Sequence, residues 1–108
     1  MTVQAMAEAL RLTPLCMPEP DREVEGGYVG DLLSWVMGNA QSGDAWITIM
    51  SNDNVVAVAV LTDVACVILS EGVTLEERLC ALAEKKGVNV FSTELSSFAV
   101  GAKVAALL

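Results

Sequence analysis

"AWITIMSNDNVVAVAVLTDVACVILS", residues 45 to 70, decides how the chain is read. Its first segment, Ala45 to Met50, carries Trp46, Ile47, Thr48 and Ile49, which all favour a pleated surface. Its last, Ala65 to Ser70, is a second strand. The run between them, Val55 to Thr62, is on its own also a good strand. Two parallel strands need a crossover, however, and Ser51-Asn52-Asp53-Asn54 offers a choice of helix caps just before the run. Val55 to Thr62 is therefore assigned to a helix, and the stretch becomes a β-α-β unit.

Working outward, the pattern continues. "VTLEERLCALAEKKG" (73–87) reads as a helix: Thr74 and Glu77 form a capping box, and Leu75, Leu79 and Leu82 lie on one face. Lys85 and Lys86 suit its C-terminus, and Gly87 stops it. "VNVFS" (88–92) is a third strand. "TELSSFAVGAKVAALL" (93–108) is a last helix with Leu95, Phe98, Ala99 and Ala102 inward.

Upstream, Asp31 to Ala40 reads as a well-buried helix, apolar on most sides through Leu32, Leu33, Trp35, Val36 and Met37. Residues 2 to 11 place Val3, Met6, Ala7 and Leu10 at helical spacing. The prolines between Pro14 and Pro20 impose extended chain with a turn near Glu19-Pro20-Asp21. Arg22 to Glu25 is expected as a short edge strand. The expected class is α/β: an open, largely parallel sheet of about four to five strands flanked by helices, in one domain spanning 1–108.

Composition narrows the function classes. Hydrophobic residues make up 54% and aromatic ones only 5%, so the core is aliphatic. A net charge of −8 with six Lys and Arg leaves no cationic cluster for phosphate backbones, which excludes a nucleic-acid polymer as partner. The longest uncharged run, Leu32 to Gly43, is well short of the roughly 20 residues that cross a bilayer, so no membrane association is expected. "MTVQAMAEAL" lacks the basic start of a secretory signal, and the expected location is cytoplasmic. Cys16, Cys66 and Cys80 form no CxxC and there is no His, so no metal is expected and the cysteines read as small buried hydrophobes. The missing His also removes the commonest general base. So apolar a short chain favours a homo-oligomer, expected as a homodimer.

Two constellations compete for a site. Gly26, Gly27 and Gly30 fit neither dinucleotide nor P-loop spacing, and Asp31 would repel an anion at the following helix. They read as a turn and N-cap, with a loop lining a ligand cleft as the alternative. More informative are the polar turns after the three proposed strands: Ser51-Asn52-Asp53-Asn54, then Ser70-Glu71-Gly72 with Thr74, then Ser92-Thr93-Glu94 with Ser96-Ser97. In an open parallel sheet such turns share one edge, where these folds bind ligands. Ordinary helix capping explains the same residues. The candidate ligand-binding residues are Ser51, Asn52, Asn54, Ser70, Ser92 and Thr93, with Tyr28 and Asp31 closing the cleft from the glycine loop. Asp53, Glu71 and Glu94 favour a ligand with hydrogen-bond donors over a naked phosphate. The aspartates each sit where a cap or turn wants one, so no catalytic residue and no cofactor is assigned.

"YVGDLLSWVM" (28–37), "DAWIT" (44–48), "ACVILSEG" (65–72) and "STELS" (92–96) together resemble the DRTGG-domain family in its small stand-alone form. The family is similar to the N-terminal domain of HPr kinase/phosphorylase and to the first domain of some muramyl-peptide ligases. It also occurs fused to CBS domains and phosphotransacetylases. The resemblance implies an α/β fold, homo-oligomerisation and a regulatory or ligand-sensing role rather than catalysis, with redox systems as neighbours. The name-giving D-R-T-G-G string is absent; Asp21-Arg22 and Gly26-Gly27 are its nearest echo. The expected function is a non-enzymatic module that binds a small metabolite or nucleotide at the strand-end rim and signals to a partner protein. The alternative is a ligand-free subunit docking on a larger, possibly redox, complex.

Overall fold

The residues that alternate along the middle of the chain build a sheet with two dry faces. A computed structural model describes all residues, 1–108. Its elements, in chain order, are α1 (Val3–Leu10), β1 (Thr13–Cys16), β2 (Gly26–Val29), α2 (Leu33–Asn39), β3 (Asp44–Thr48), α3 (Asn54–Thr62), β4 (Cys66–Leu69), α4 (Glu77–Lys86), β5 (Val90–Ser92) and α5 (Ser97–Leu107). The sheet order is β1-β5-β4-β3-β2. Strands β2 to β5 are parallel, and β1 joins β5 antiparallel.

Every residue of β3, β4 and β5 is buried. Because side chains alternate, each strand feeds two cores. Trp46, Val67, Leu69 and Val90 point to the core under α2, α3 and α4. Ala45, Ile47, Cys66, Ile68 and Phe91 point to the core under α1 and α5. Burial on both faces explains why these strands read as continuous apolar runs. Val55 to Thr62 is helical, as the crossover argument requires, and Val55, Val56, Val58 and Ala59 face the sheet. No helix is long and apolar enough to cross a membrane.

Several local expectations are corrected. Gly26-Gly27 does not turn the chain; it begins β2, in register with Asp44-Ala45. Glycine is needed at Gly26 for close approach, since a Cβ there would lie 2.8 Å from the Asp44 carboxylate. Arg22 to Glu25 forms no strand and contributes only a single bridge, Thr2 to Glu23. The second edge is instead Thr13–Cys16, where Pro14 is tolerated because it sits on the border of the sheet.

Three helices also differ from their sequence reading. Helix α2 starts after Leu32, which supplies no side-chain cap, and buries only Val36; Leu32, Trp35 and Met37 are exposed. Helix α4 starts at Glu77, so Thr74 lies outside it and the capping box does not form; Leu79 and Ala83 are buried, whereas Leu82 is partly exposed. Gly87 does end that helix in a left-handed conformation. Helix α5 is rotated from its expected orientation: Val100 and Val104 face the core, and Phe98 is 87% exposed. Apolar residues ring both α2 and α5, so spacing alone did not single out the buried stripe.

Two polar devices tie the irregular front of the chain to this sheet. Arg22 donates to the Asp63 carboxylate (3.1 Å) and to the Asp63 carbonyl (2.8 Å) at the end of α3. Hydrogen bonds from Ser42 and Arg22 hold the Asp63 carboxyl below its usual range. The second device is Asn89, only 1% exposed. Its amide donates to Glu19 O and Ala65 O, and its oxygen accepts from Glu19 N, each at 2.9 Å. One side chain thereby fixes the proline-rich segment and the approach to β4.

Replacing it leaves the buried Ala65 carbonyl without this partner, at about 1–3 kcal/mol, and releases the part-buried Glu19 backbone groups. Asn89→Ala is therefore expected to lower stability by about 2–3 kcal/mol in urea unfolding, with an unchanged m-value. A loss within the ~0.5 kcal/mol typical of surface changes would refute the latch.

Candidate functional site

Parallel strands end on the same side of a sheet, so the turns after β2, β3, β4 and β5 follow one edge. Ser51, Asn52 and Asn54 follow β3, Ser70 follows β4, Ser92 ends β5 with Thr93 next, and Asp31 follows β2. Tyr28 is different. It lies within β2 rather than in a loop, and its ring packs against the core under α2, α3 and α4.

Much of the polar capacity of this edge is engaged within the chain. Asp31 accepts from the Thr48 hydroxyl and from Ile49 N, both at 2.9 Å, and Thr48 accepts from Met50 N. This carboxylate thus fixes the turn after β3 and does not cap a helix. Asn52 accepts from Asn54 N at 3.0 Å, an Asx turn before α3. Ser70 is fully buried, with its hydroxyl 2.6 Å from that of Ser97. Thr93 accepts from Leu95 N, and Ser96 caps α5 through Ala99 N.

The turn after β4 is tied to the one after β5. Glu71 donates its N–H to Leu95 O and Gly72 donates to Thr93 O, both at 2.9 Å. Both turn residues have positive φ, 59° for Glu71 and 74° for Gly72; glycine serves the second without steric cost. Asn52, Asn54, Glu71 and Glu94 remain exposed along this edge. Asp53 points to α4, where Arg78 Nη2 meets its carboxylate at 2.7 Å. Hydrogen bonding and the charge of Arg78 hold the Asp53 carboxyl below its usual range.

Sequence reading missed Thr48 as a member of this network, for which a threonine in an otherwise apolar buried strand was the available signal. Ser97 was grouped with the turn after β5 but not among the candidate ligand-binding residues, and its partner is Ser70. The surface grooves lie elsewhere: about 350 Å³ between α3 and α4, about 430 Å³ beside α1 and β1, and about 200 Å³ between β2 and α5. Of the candidate residues, only Tyr28 lines one of them.

The cysteines are free thiols. Burial pushes Cys66 up to about 12 and Cys16 up to about 11, and burial also raises Cys80. Cys16 Sγ lies 3.2 Å from Val88 O, and Cys80 Sγ 3.6 Å from Leu75 O. Thiolates are the reactive form, so at neutral pH all three are protonated and slow. Labelling by a thiol reagent at pH 7 is expected to be at least about tenfold slower in the native chain than in urea, with Cys66 last. A native cysteine that labels at the unfolded rate would contradict this account.

Residues 21–107 match the model of the DRTGG domain, beginning at Asp21 of the Asp21-Arg22 pair. Among solved structures, one similar chain is the regulatory region of Clostridium perfringens pyrophosphatase, comprising its CBS and DRTGG domains, solved in complex with the activator diadenosine tetraphosphate. The two chains are 18% identical with a TM-score of 0.72, over 94% of this chain and 44% of that one. That likeness is one of fold, and this chain spans less than half the length of its neighbour. No curated protein matches the sequence. With most of its length matched and the same α/β architecture, the chain belongs to the DRTGG-domain family.

Proposed function

We propose that residues 1–108 act as one non-enzymatic, cytoplasmic regulatory module, a homodimer that binds a small metabolite or nucleotide at the strand-end rim and passes its occupancy to a partner protein. The observation that carries this reading is that the parallel strands end in polar turns along one sheet edge, in a chain of the DRTGG-domain family. The pyrophosphatase region that shares the fold is regulatory and was solved with a nucleotide activator, which is consistent with the same class of ligand here.

In this reading Asn52 and Asn54, which are exposed, and Ser51, Ser92 and Thr93 supply hydrogen bonds to the ligand. Ser70 acts from beneath through Ser97, and Asp31 holds the β3 turn in shape. Tyr28 contributes from the flank. Binding reorganises the turns after β4 and β5, which already bond to one another, and contacts the exposed turn before α3. Three protonated thiols and the absence of His support a role without covalent chemistry.

A second reading has its own observation. Helix α2 is uncharged and leaves Leu32, Trp35 and Met37 more than half exposed, which suits a ligand-free subunit docking on a larger, possibly redox, complex. Partner binding that is tight and indifferent to every small molecule favours that reading.

A thermal-shift screen of nucleotides and common metabolites separates the two. A ligand present at 100 times its Kd stabilises by about 2.7 kcal/mol, which raises Tm by at least several degrees in a domain of this size. Asn52→Ala with Asn54→Ala is expected to abolish the shift, read against the variant's own unliganded Tm, which loss of the Asn52 turn lowers by about 4–8 °C. No shift with any compound, or a shift that the double variant keeps, would count against the rim.

A further inference from the structure

The two edges of the sheet are protected unequally. A sheet edge presents unpaired backbone groups, and folds blunt it with proline, a bulge or a charge. At β1 the first two devices are present: Pro14, and a register shift between Pro14 and Cys16. At β2 none is. The strand holds no proline and no charge, and it pairs on one side only, with β3. Gly30 donates to Ile47 O at 3.1 Å, so by alternation Tyr28 also turns its backbone toward β3, while Gly27 and Val29 turn theirs outward. No other segment of the chain bonds to those outward groups. Just upstream the same line of backbone is covered: Val24 donates to Met1 O and Val3 to Arg22 O, around the antiparallel Thr2–Glu23 bridge. That cover stops before β2.

Beside the open backbone lies the groove of about 200 Å³ between β2 and α5, walled by Gly27 and Val29 on the strand and by Gly101, Val104 and Ala105 on the helix. Val29 is 53% exposed, and Phe98, one turn before Gly101, is 87% exposed. Acids bracket this edge. Glu25 precedes β2 and Asp31 follows it; both are exposed and neither is in an ion pair, since the Met1 ammonium is taken by Glu23 at 3.2 Å. Asp31 accepts both of its hydrogen bonds through Oδ1, from uncharged donors, and its Oδ2 has no partner in the chain. No Lys or Arg lines the groove. The charges select the occupant. A second copy, pairing antiparallel so that Gly27 meets Val29, would bring Glu25 of each copy near Asp31 of the other, and like charges across a strand pair are destabilising.

We propose that β2 takes an extended segment of a partner protein as a sixth strand of the sheet, with apolar side chains at alternate positions in the groove and a Lys or Arg toward each end, against Glu25 and Asp31. Main-chain bonds to Gly27 and Val29 supply the affinity, and the acids and the groove supply the selectivity. Spanning both acids takes about seven residues, or ~20 Å of strand. This gives the partner of the proposed function a surface and rests on that reading, but it needs none of the turns after β3, β4 and β5. The two therefore fail separately: segment binding is read without ligand, and ligand-induced thermal shifts without the segment.

The probe is the end-blocked peptide Lys-Thr-Val-Thr-Val-Thr-Lys, titrated into the isotope-labelled chain and followed by amide chemical shifts. Saturable changes are expected at Gly27 and Val29 and along the groove side of α5. The same peptide with Glu at both ends is expected to bind at least about tenfold more weakly. Gly27→Pro removes one outward N–H yet suits an edge strand, and is expected to cost at least about tenfold in affinity. Gly27→Ala keeps that N–H, and its Cβ would meet nothing closer than 3.6 Å, so binding is expected to stay within about threefold. Glu25→Lys, at an exposed position, is expected to weaken the Lys-ended peptide by roughly 3- to 10-fold and to strengthen the Glu-ended one, a result that does not depend on Gly27→Pro folding. The proposal is overturned by a Lys-ended peptide that never saturates, by binding indifferent to the end charges, or by binding that a folded Gly27→Pro chain keeps. Changes at Gly27 and Val29 that grow with protein concentration alone would make a second copy the occupant and overturn it equally.

Discussion

The structure depends on three short parallel strands that have no wet face. Once β3, β4 and β5 are buried on both sides, their backbone groups must pair with one another, and each link between them must cross a face of the sheet as a helix. Trp46, Ile47, Ile68, Leu69 and Phe91 are essentially inaccessible to solvent, and full burial of such side chains contributes about 1.5–3 kcal/mol each. The strand direction that this packing enforces also carries the polar turns to a common edge. Core and candidate site therefore follow from the same constraint.

That constraint was legible in residues 45 to 70. Two apolar strands, with a cap-rich tetrapeptide and a valine run between them, admit few topologies, and the helix over Val55 to Thr62 followed from the need for a crossover rather than from propensity. Valine favours strands locally, so the tertiary requirement overrode it. The edges were less legible. Gly26-Gly27 reads as a turn in isolation because the reason for glycine there, the Asp44 carboxylate beside it, is distant in sequence. Asn89 gave no sign of its three hydrogen bonds for the same reason: its partners lie 24 and 70 residues away.

Helix faces were misread where apolar residues surround the helix. In α5, helical spacing places Phe98 inward with Leu95, Ala99 and Ala102, yet the sheet selects Val100 and Val104. Phe98, Trp35 and Leu61 lie outside, and their exposure is information that composition alone could not give. An excess of apolar residues over core volume leaves part of the aliphatic content for contacts with other molecules. Of the candidate site residues, the sequence located the turns, but not how far their hydroxyls and carboxylates are already engaged with one another. The Asp31–Thr48 and Ser70–Ser97 pairs make the strand-end edge a preorganised network rather than an open cleft.

An isotope-labelled chain titrated with nucleotides and common metabolites, followed by amide chemical shifts, tests the central claim most directly. The account predicts saturable changes concentrated at residues 51–54, 70–72 and 92–96, extending into the first turns of α3 and α5. Saturable changes confined to the α3–α4 groove, with the strand-end turns unmoved, would contradict it.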